Sequence, residues 1–148
     1  MQRHSRLAPT PSGFLHAGNA FAFAVTEYIV SKSGGSLRLR IDDLDAPRVR
    51  SAYIQDIFDT LEWMGITDWY GPQDAAAFSL NFSQQQRLSD YFSCIEALNK
   101  TGLTYACNCS RSSLMALGHH TYPGICRHKK LPPNEPGTAL RLVILPEK

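Results

Sequence analysis

Long apolar runs are missing from this sequence: the longest, Ala20 to Val30, is interrupted by Thr26, Glu27 and Tyr28. A membrane-spanning helix needs about 20 consecutive apolar residues, so none is predicted. The polar, basic start from Met1 to Arg6 leads into Pro9 and Pro11 instead of an apolar segment, which argues against a secretory leader. Strong charge of one sign is also missing. A net charge of +2 and a pI near 8.4 lack the dense Lys and Arg clustering that announces nucleic-acid binding by electrostatics alone. Cysteine is scarce, with four residues, and no internal repeat is visible. A cytoplasmic protein that does not engage a membrane is the expectation. In such a reducing compartment, clustered thiols favour metal over disulfide.

A hydrophobic content of 43% over 148 residues is enough for one core. Ser5 to Ala8 reads as a short strand running into a Pro- and Gly-rich turn, Pro9 to Gly13, and then an apolar helix from Asn19 to Ser31. After Gly34 and Gly35, the alternation Leu37-Arg38-Leu39-Arg40-Ile41 predicts a second strand. That order makes a βαβ unit with a parallel sheet, hence an α/β fold. Pro47 is placed to begin a helix whose apolar positions are Tyr53, Ile54, Ile57, Phe58 and Leu61, and Gly65 ends it. Ile66 to Tyr70 is a candidate third strand, and Ser83 to Lys100 an amphipathic helix closed by Gly102. From Thr104 the texture changes to cysteines, a His pair, prolines and one last apolar run, Ala139 to Leu145. The expected division is therefore a main domain over 1–102 and a small subdomain over 103–148.

The first turn holds the most informative residues, Arg6-Leu7-Ala8-Pro9-Thr10-Pro11-Ser12-Gly13-Phe14-Leu15-His16-Ala17-Gly18-Asn19. A backbone that approaches polyphosphate closely needs positions without a Cβ, which Gly13 and Gly18 supply, and free N–H groups at the following helix start favour an anion. His16 can donate to a phosphate oxygen as negative charge grows there. Just past the second predicted strand lies an acidic cluster, Asp42, Asp43 and Asp45. Taken alone, it also reads as a solvated loop with capping duty at Asp45.

Together these residues resemble the class I aminoacyl-tRNA synthetases in their glutamyl form. Arg6 to Gly13 matches an Arg-x-Ala-Pro-Thr/Ser-Pro-Ser/Thr-Gly lead-in, and His16 to Asn19 matches the first signature, His-x-Gly-His/Asn, with Asn last. Leu39-Arg40-Ile41-Asp42-Asp43-Leu44-Asp45-Ala46-Pro47-Arg48 is similar to the family's Leu-Arg-Ile-Glu-Asp-x-Asp-x-x-Arg segment, at the strand end where ligands bind in open α/β sheets. The resemblance implies a Rossmann-like parallel sheet, the first half of a class I catalytic domain, bearing a small zinc-containing insertion. It also implies activation of glutamate by ATP, which brings Mg²⁺, and transfer of the glutamyl group to tRNA by a monomer. Pro9, Thr10, Gly13, His16, Gly18 and Asn19 would hold ATP, with His16 and Asn19 at the chemistry. Arg6, Leu7, Ala8, Pro9, Thr10 and Asp42 would hold L-glutamate, with Arg6 on a carboxylate and Asp42 on the ammonium. Asp42 replaces the family's usual Glu and is one methylene shorter, so the ammonium is reached through water or by a pocket drawn inward.

Cys107-x-Cys109 followed by Tyr122-x-x-x-Cys126-x-His128 offers a tetrahedral donor set for zinc, in a segment with little core of its own. Cys107, Cys109 and Cys126 are the shared ligands. The fourth is open between Tyr122 and His128, the conventional choice, while His119 and His120 read as a solvated turn. Resemblance to the small glutamyl-Q tRNA(Asp) synthetases, which show Cys-x-Cys with Tyr-x-x-x-Cys, points to Tyr122. It makes the queuosine base of tRNA(Asp) the expected acceptor. The alternatives are the amino-terminal part of a conventional glutamyl-tRNA synthetase and a noncatalytic nucleotide- or tRNA-binding fragment. The family's second phosphate loop, of Lys-Met-Ser-Lys-Ser or Lys-Leu-Ser-Lys type, does not occur here, so the 148 residues alone are expected to be inactive.

Overall fold

Residues 3–133 and 135–144 are described by the computed structural model, and the chain divides into two compact units, Met1–Leu88 and Ser89–Lys148. In the first unit, strand β1 (His4–Leu7), helix α1 (Ala17–Lys32) and strand β2 (Ser36–Leu39) form the anticipated βαβ unit. β1 and β2 pair in parallel, with Arg6 opposite Arg38 and Leu7 opposite Leu39. Side chains alternate across a strand. Leu7, Leu37 and Leu39 are accordingly buried on one face, whereas His4, Arg6 and Arg38 are exposed on the other.

The parallel pairing continues beyond both strands, since the Arg40 N–H donates to the Leu7 carbonyl at 2.9 Å and the Asp42 N–H to the Pro9 carbonyl at 2.9 Å. The expected third strand shrinks to one bridge: Tyr70 lies parallel to Arg38, its N–H bonded to the Leu37 carbonyl and its own carbonyl taking the Leu39 N–H, both at 2.9 Å. Gly71, at φ +134°, passes so close that a Cβ would sit 2.5 Å from the Leu39 carbonyl oxygen. Pro72, which has no N–H to give, is fully buried just beyond, so the ladder stops there.

Helix α2 (Ser51–Trp63) buries Ile54, Ile57, Phe58 and Leu61, an i, i+3, i+4, i+7 stripe, against the core face of the sheet residues Leu7, Leu37, Leu39 and Ile41. Helix α1 is apolar on all sides. It buries Phe23 and Val30, while Phe21, Val25, Tyr28 and Ile29 remain exposed. No helix among the described residues is long and apolar enough to cross a membrane.

The helix expected over Ser83 to Lys100 is present, with Ser83 as its cap and its first turn tightened to 3₁₀. A short helix α3 (Ala75–Ala77) and a π turn (Phe78–Phe82) precede that 3₁₀ turn (Gln84–Arg87), and helix α4 (Leu88–Lys100) follows it. Asp43, which is 4% exposed, holds that first turn. Its carboxylate accepts from the Ser83 hydroxyl and, at 2.8 Å, from the Gln84 N–H, while its carbonyl accepts from the Gln85 side-chain amide at 2.7 Å. These bonds anchor residues 83–85 to the acidic loop.

The second unit contains most of α4, an antiparallel pair of strands, β3 (Thr104–Cys107) and β4 (Ala139–Leu142), and helix α5 (Arg111–Ala116) between them. α5 went unread in the sequence, though the Ser110 hydroxyl accepts from the Ser113 N–H as an N-cap. β4 takes up the last apolar run as far as Leu142, and Leu145, which closed the expected run, lies outside the described residues.

Removing the Asp43 carboxylate leaves the buried Gln84 N–H and the Ser83 hydroxyl without their acceptor. An orphaned buried donor costs about 1–3 kcal/mol. Asp43→Ala is therefore expected to lower the denaturant midpoint in proportion, and Asp43→Asn, which keeps one acceptor oxygen, to lower it less. Equal midpoints for wild type and Asp43→Ala would show that this carboxylate does not organise the loop.

Candidate functional site

The two loops that the sequence singles out are brought side by side by the Asp42 N–H to Pro9 carbonyl bond. Their residues divide by what the fold already asks of them. Leu7 is 2% exposed in the core and its carbonyl is bonded to Arg40, and Pro9 is buried with its carbonyl on Asp42. Arg6 and Thr10 are exposed, and Ala8 is half-buried. Arg6 lines an open concavity of about 590 Å³ on the sheet face, together with His4, Ser5, Ser36, Arg38 and Tyr70. Three basic or potentially basic side chains converge there, which suits an anionic group.

Asp42 is held in a fixed pose. Arg40 grips it with two bonds, Nε to Oδ1 at 2.7 Å and an Nη to Oδ2 at 2.9 Å, and the Gln84 side-chain amide donates to Oδ1 at 2.9 Å. An ionised carboxylate has about four acceptor sites, so this pose leaves capacity on Oδ2 for a further donor. Asp45, by contrast, makes only a loose 3.5 Å ion pair with Arg48, and its side chain does not cap the 3₁₀ turn that follows it, Ala46–Arg48.

His16 and Asn19 bond to each other's backbone surroundings. The His16 Nδ1 accepts from the Gly18 N–H at 3.1 Å, and the Asn19 side-chain oxygen accepts from the His16 N–H at 3.1 Å, a capping box that starts α1 two residues before the sequence pattern implied. An Nδ1 that accepts carries no proton, so the proton of the neutral ring is on Nε2, and the exposed imidazole presents it as a donor. Gly18 has a steric duty in this arrangement: a Cβ there would lie 2.9 Å from the His16 Cε1. Around Gly13 nothing in the chain comes within 4 Å of such a Cβ, so the protein's own packing does not require glycine there.

One contributor was not foreseen in the sequence. Asp56 on α2 accepts from the Leu15 N–H through Oδ2 at 2.7 Å, and Tyr53, one helical turn earlier, meets Phe14 edge to face with centroids 4.9 Å apart. Together they fix the loop that delivers His16. Their i, i+3 spacing on α2 was visible, but the loop they serve lies 41 residues away in the chain.

In the second unit, β3 presents Tyr105 and Cys107 on one face, and Cys109 follows at the next like position. The sulfurs of Cys107, Cys109 and Cys126 all lie within 4.8 Å of one another, with Cys109 and Cys126 3.5 Å apart. The Tyr122 hydroxyl approaches the Cys107 sulfur at 3.4 Å and accepts from the Cys126 N–H at 2.9 Å. His128 is exposed and stands outside this group, as do His119 and His120. Burial pushes the Cys107 thiol up, but hydrogen bonds led by that of the Tyr122 hydroxyl outweigh it and lower the thiol from 9.0 to about 6. Cys109 is raised to about 11 by its bond with Cys126 and by burial. Burial, then the bond to Cys107, raises the Tyr122 phenol. The cluster offers a set of soft donors to one metal ion.

The model of the family described as class I tRNA synthetases (E and Q), catalytic domain, matches residues 2–136. The glutamyl-Q tRNA(Asp) synthetase of Nitratidesulfovibrio vulgaris is 34% identical over 139 residues, 94% of this chain and 41% of that protein. Its namesake from Rhodobacter capsulatus is 37% identical over 153 residues, 93% of this chain and 52% of that one. The crystal structure of a glutamate-tRNA synthetase from Elizabethkingia anophelis superposes with a TM-score of 0.69 at 23% identity, covering 96% of this chain and 33% of that one. This likeness shows a shared fold. The chain spans about half or less of the length of these proteins.

Asp56→Ala is expected to free the loop before α1. A hydrogen bond to a charged group contributes about 1.5–3 kcal/mol, so the Leu15 amide should exchange with solvent roughly 10- to 100-fold faster. Hydrogen exchange read at that amide checks it, and unchanged protection would show that Asp56 does not hold the loop.

Proposed function

The chain belongs to the catalytic-domain family of class I tRNA synthetases of the E and Q type, and from that premise we propose that it supplies the nucleotide- and glutamate-binding half of a ligase active site. The ligase joins L-glutamate to ATP and passes the glutamyl group to tRNA. The single observation that carries this reading is the Asp42–Pro9 backbone bond, which sets the acidic loop against the loop ending in His16. In the proposed chemistry a glutamate carboxylate oxygen attacks the α-phosphorus of ATP, pyrophosphate leaves, and glutamyl-adenylate forms. The acceptor nucleophile on tRNA then attacks the activated carbonyl and AMP leaves.

Arg6, on the exposed sheet face, pairs with a glutamate carboxylate, and Asp42, steadied by Arg40 and Gln84, receives the ammonium. Pro9, Thr10, Gly13, Gly18 and the start of α1 hold ATP, and the His16 Nε2–H donates to the α-phosphate as charge grows in the transition state. Magnesium accompanies ATP. The acceptor is the queuosine base of tRNA(Asp), a reading supported by the names of the relatives and by the Tyr122-Pro123-Gly124-Ile125-Cys126 pattern beside Cys107 and Cys109.

We assign zinc to the second unit. A tetrahedral centre with Zn–S near ~2.3 Å has its sulfurs about 3.8 Å apart, and the three sulfurs here, within 4.8 Å of one another, fit it. Tyr122, whose oxygen lies 3.4 Å from the Cys107 sulfur, is the fourth ligand. The ion would cross-link residues 107–109 to 122–126, a structural role.

ATP–pyrophosphate exchange on the longest reading frame containing this chain should proceed with glutamate well ahead of glutamine. Arg6→Ala leaves a substrate carboxylate unpaired, which costs about 2–5 kcal/mol, so exchange should fall by at least roughly 30-fold. The 148-residue chain alone should be slower still, by at least about a thousandfold, if two or more charged contacts come from outside it. Equal use of glutamine and glutamate would overturn the substrate reading.

Protein prepared without chelator should carry about one zinc per chain, with affinity falling as pH falls because the ligands must lose protons. Elemental analysis finding no zinc while all thiols are reduced would count against the assignment.

A further inference from the structure

Arg141 is a charged side chain set against the cysteine–tyrosine cluster. It comes from β4, directly opposite Tyr105 of β3 in the antiparallel register. Its guanidinium lies over the Tyr122 ring, 4.0 Å from the centroid, while the Tyr105 ring is stacked with Tyr122 at 6.4 Å between centroids and 20° between planes. Its Nε is buried and has no hydrogen-bond partner among the described residues. The guanidinium also faces the Cys107 sulfur closely enough to interact with it. A cation whose Nε is shielded from water is stabilised by nearby negative charge, and no carboxylate forms an ion pair with this half-buried residue among the described residues.

We propose that Arg141 is a positioning residue of the metal centre: it clamps the Tyr122 ring so that the hydroxyl is delivered to the site beside Cys107, and it neutralises the anionic centre formed when the metal binds. The proposal rests on the zinc reading above. Three thiolates around a divalent ion leave the centre anionic, and an oxygen ligand from Tyr122 deepens that charge. The cation that offsets it is already in place over the ligand's ring. The flat guanidinium suits this position, because it stacks on an aromatic face and still directs N–H groups sideways toward sulfur. Tyr122 by itself has few constraints on its χ angles in a loop. With its ring held by Arg141, and its oxygen by the Cys126 N–H at 2.9 Å, it points one way.

The test measures zinc affinity by chelator competition on the full chain, and the visible spectrum of the Co²⁺ form, which reports the donor set. Arg141→Met keeps length and apolar packing but loses the charge and the plane. It should weaken zinc roughly 10- to 100-fold, the usual effect of losing an outer partner of a ligand, and move the cobalt spectrum toward that of Tyr122→Phe. Arg141→Lys, which restores charge without the plane, should fall between Met and wild type. Since the clamp acts through the Tyr122 hydroxyl while the charge also acts on the thiolates, removing Arg141 should cost less in Tyr122→Phe than in the wild type, so the losses in Arg141→Met/Tyr122→Phe should fall short of additive. Additive losses, or a Met variant with wild-type affinity and cobalt spectrum, would overturn the proposal. If Arg141→Met fails to fold, the Lys and Tyr122→Phe variants decide. Wild-type zinc affinity in Tyr122→Phe would overturn the Arg141 role while leaving a zinc site built on the cysteines. Absence of zinc from the wild type would remove the zinc reading itself, and Arg141's role with it.

Discussion

The parallel pairing of β1 with β2, carried two hydrogen bonds past the strands themselves, is the constraint on which the first unit depends. Within the strands it sets the register that buries Leu7, Leu37 and Leu39 together. Beyond them, the bonds from Arg40 to Leu7 and from Asp42 to Pro9 bring two loops into contact that are more than thirty positions apart in sequence. Everything proposed for glutamate and ATP follows from that contact. Arg6 lies on the last pleat before it, Asp42 on the residue that makes it, and His16 at the end of the loop that leaves it. The acidic loop is then braced from behind by the buried Asp43 carboxylate, whose bonds to residues 83 and 84 are long-range contacts of the same kind.

The second unit solves a different problem. Among the described residues its buried hydrophobic ones are few: Ala106, Cys107, Leu114 and Cys126. Burial of so little apolar surface contributes only modestly at about 25 cal/mol per Å². The sulfur cluster and the Tyr105–Tyr122–Arg141 stack take the place of a core, which is why the antiparallel pair β3–β4 is arranged to face them.

Sequence pattern revealed the βαβ unit, the core stripe of α2 and the close set of cysteines, because each is written in local period or spacing. What escaped it was tertiary. The 3₁₀ turn at residues 84–87 is anchored by Asp43 from forty residues away, at the start of a run that reads as one α-helix. Ile66 to Tyr70 has strand-like residues, but the close approach of Gly71 to Leu39 and the burial of Pro72 limit it to one bridge. Within the candidate site, His16, Asn19, Arg6 and Asp42 could be named from the motifs alone. Asp56 could not, since an acidic residue on an amphipathic helix looks like any solvated position until the loop it holds is placed beside it. Arg141 escaped for a similar reason: in an alternating strand it reads as a surface residue, and only the strand register sets it against Tyr122.

The capping box at α1 also limits the reactivity of its histidine. The lone pair on Nδ1 is committed to the Gly18 N–H, and the other ring nitrogen carries the proton. In this pose the imidazole is set to donate through Nε2 and not to attack. Turning this histidine from a donor into a nucleophile would therefore cost the cap that starts α1, about 0.5–2 kcal/mol on the scale of an N-cap.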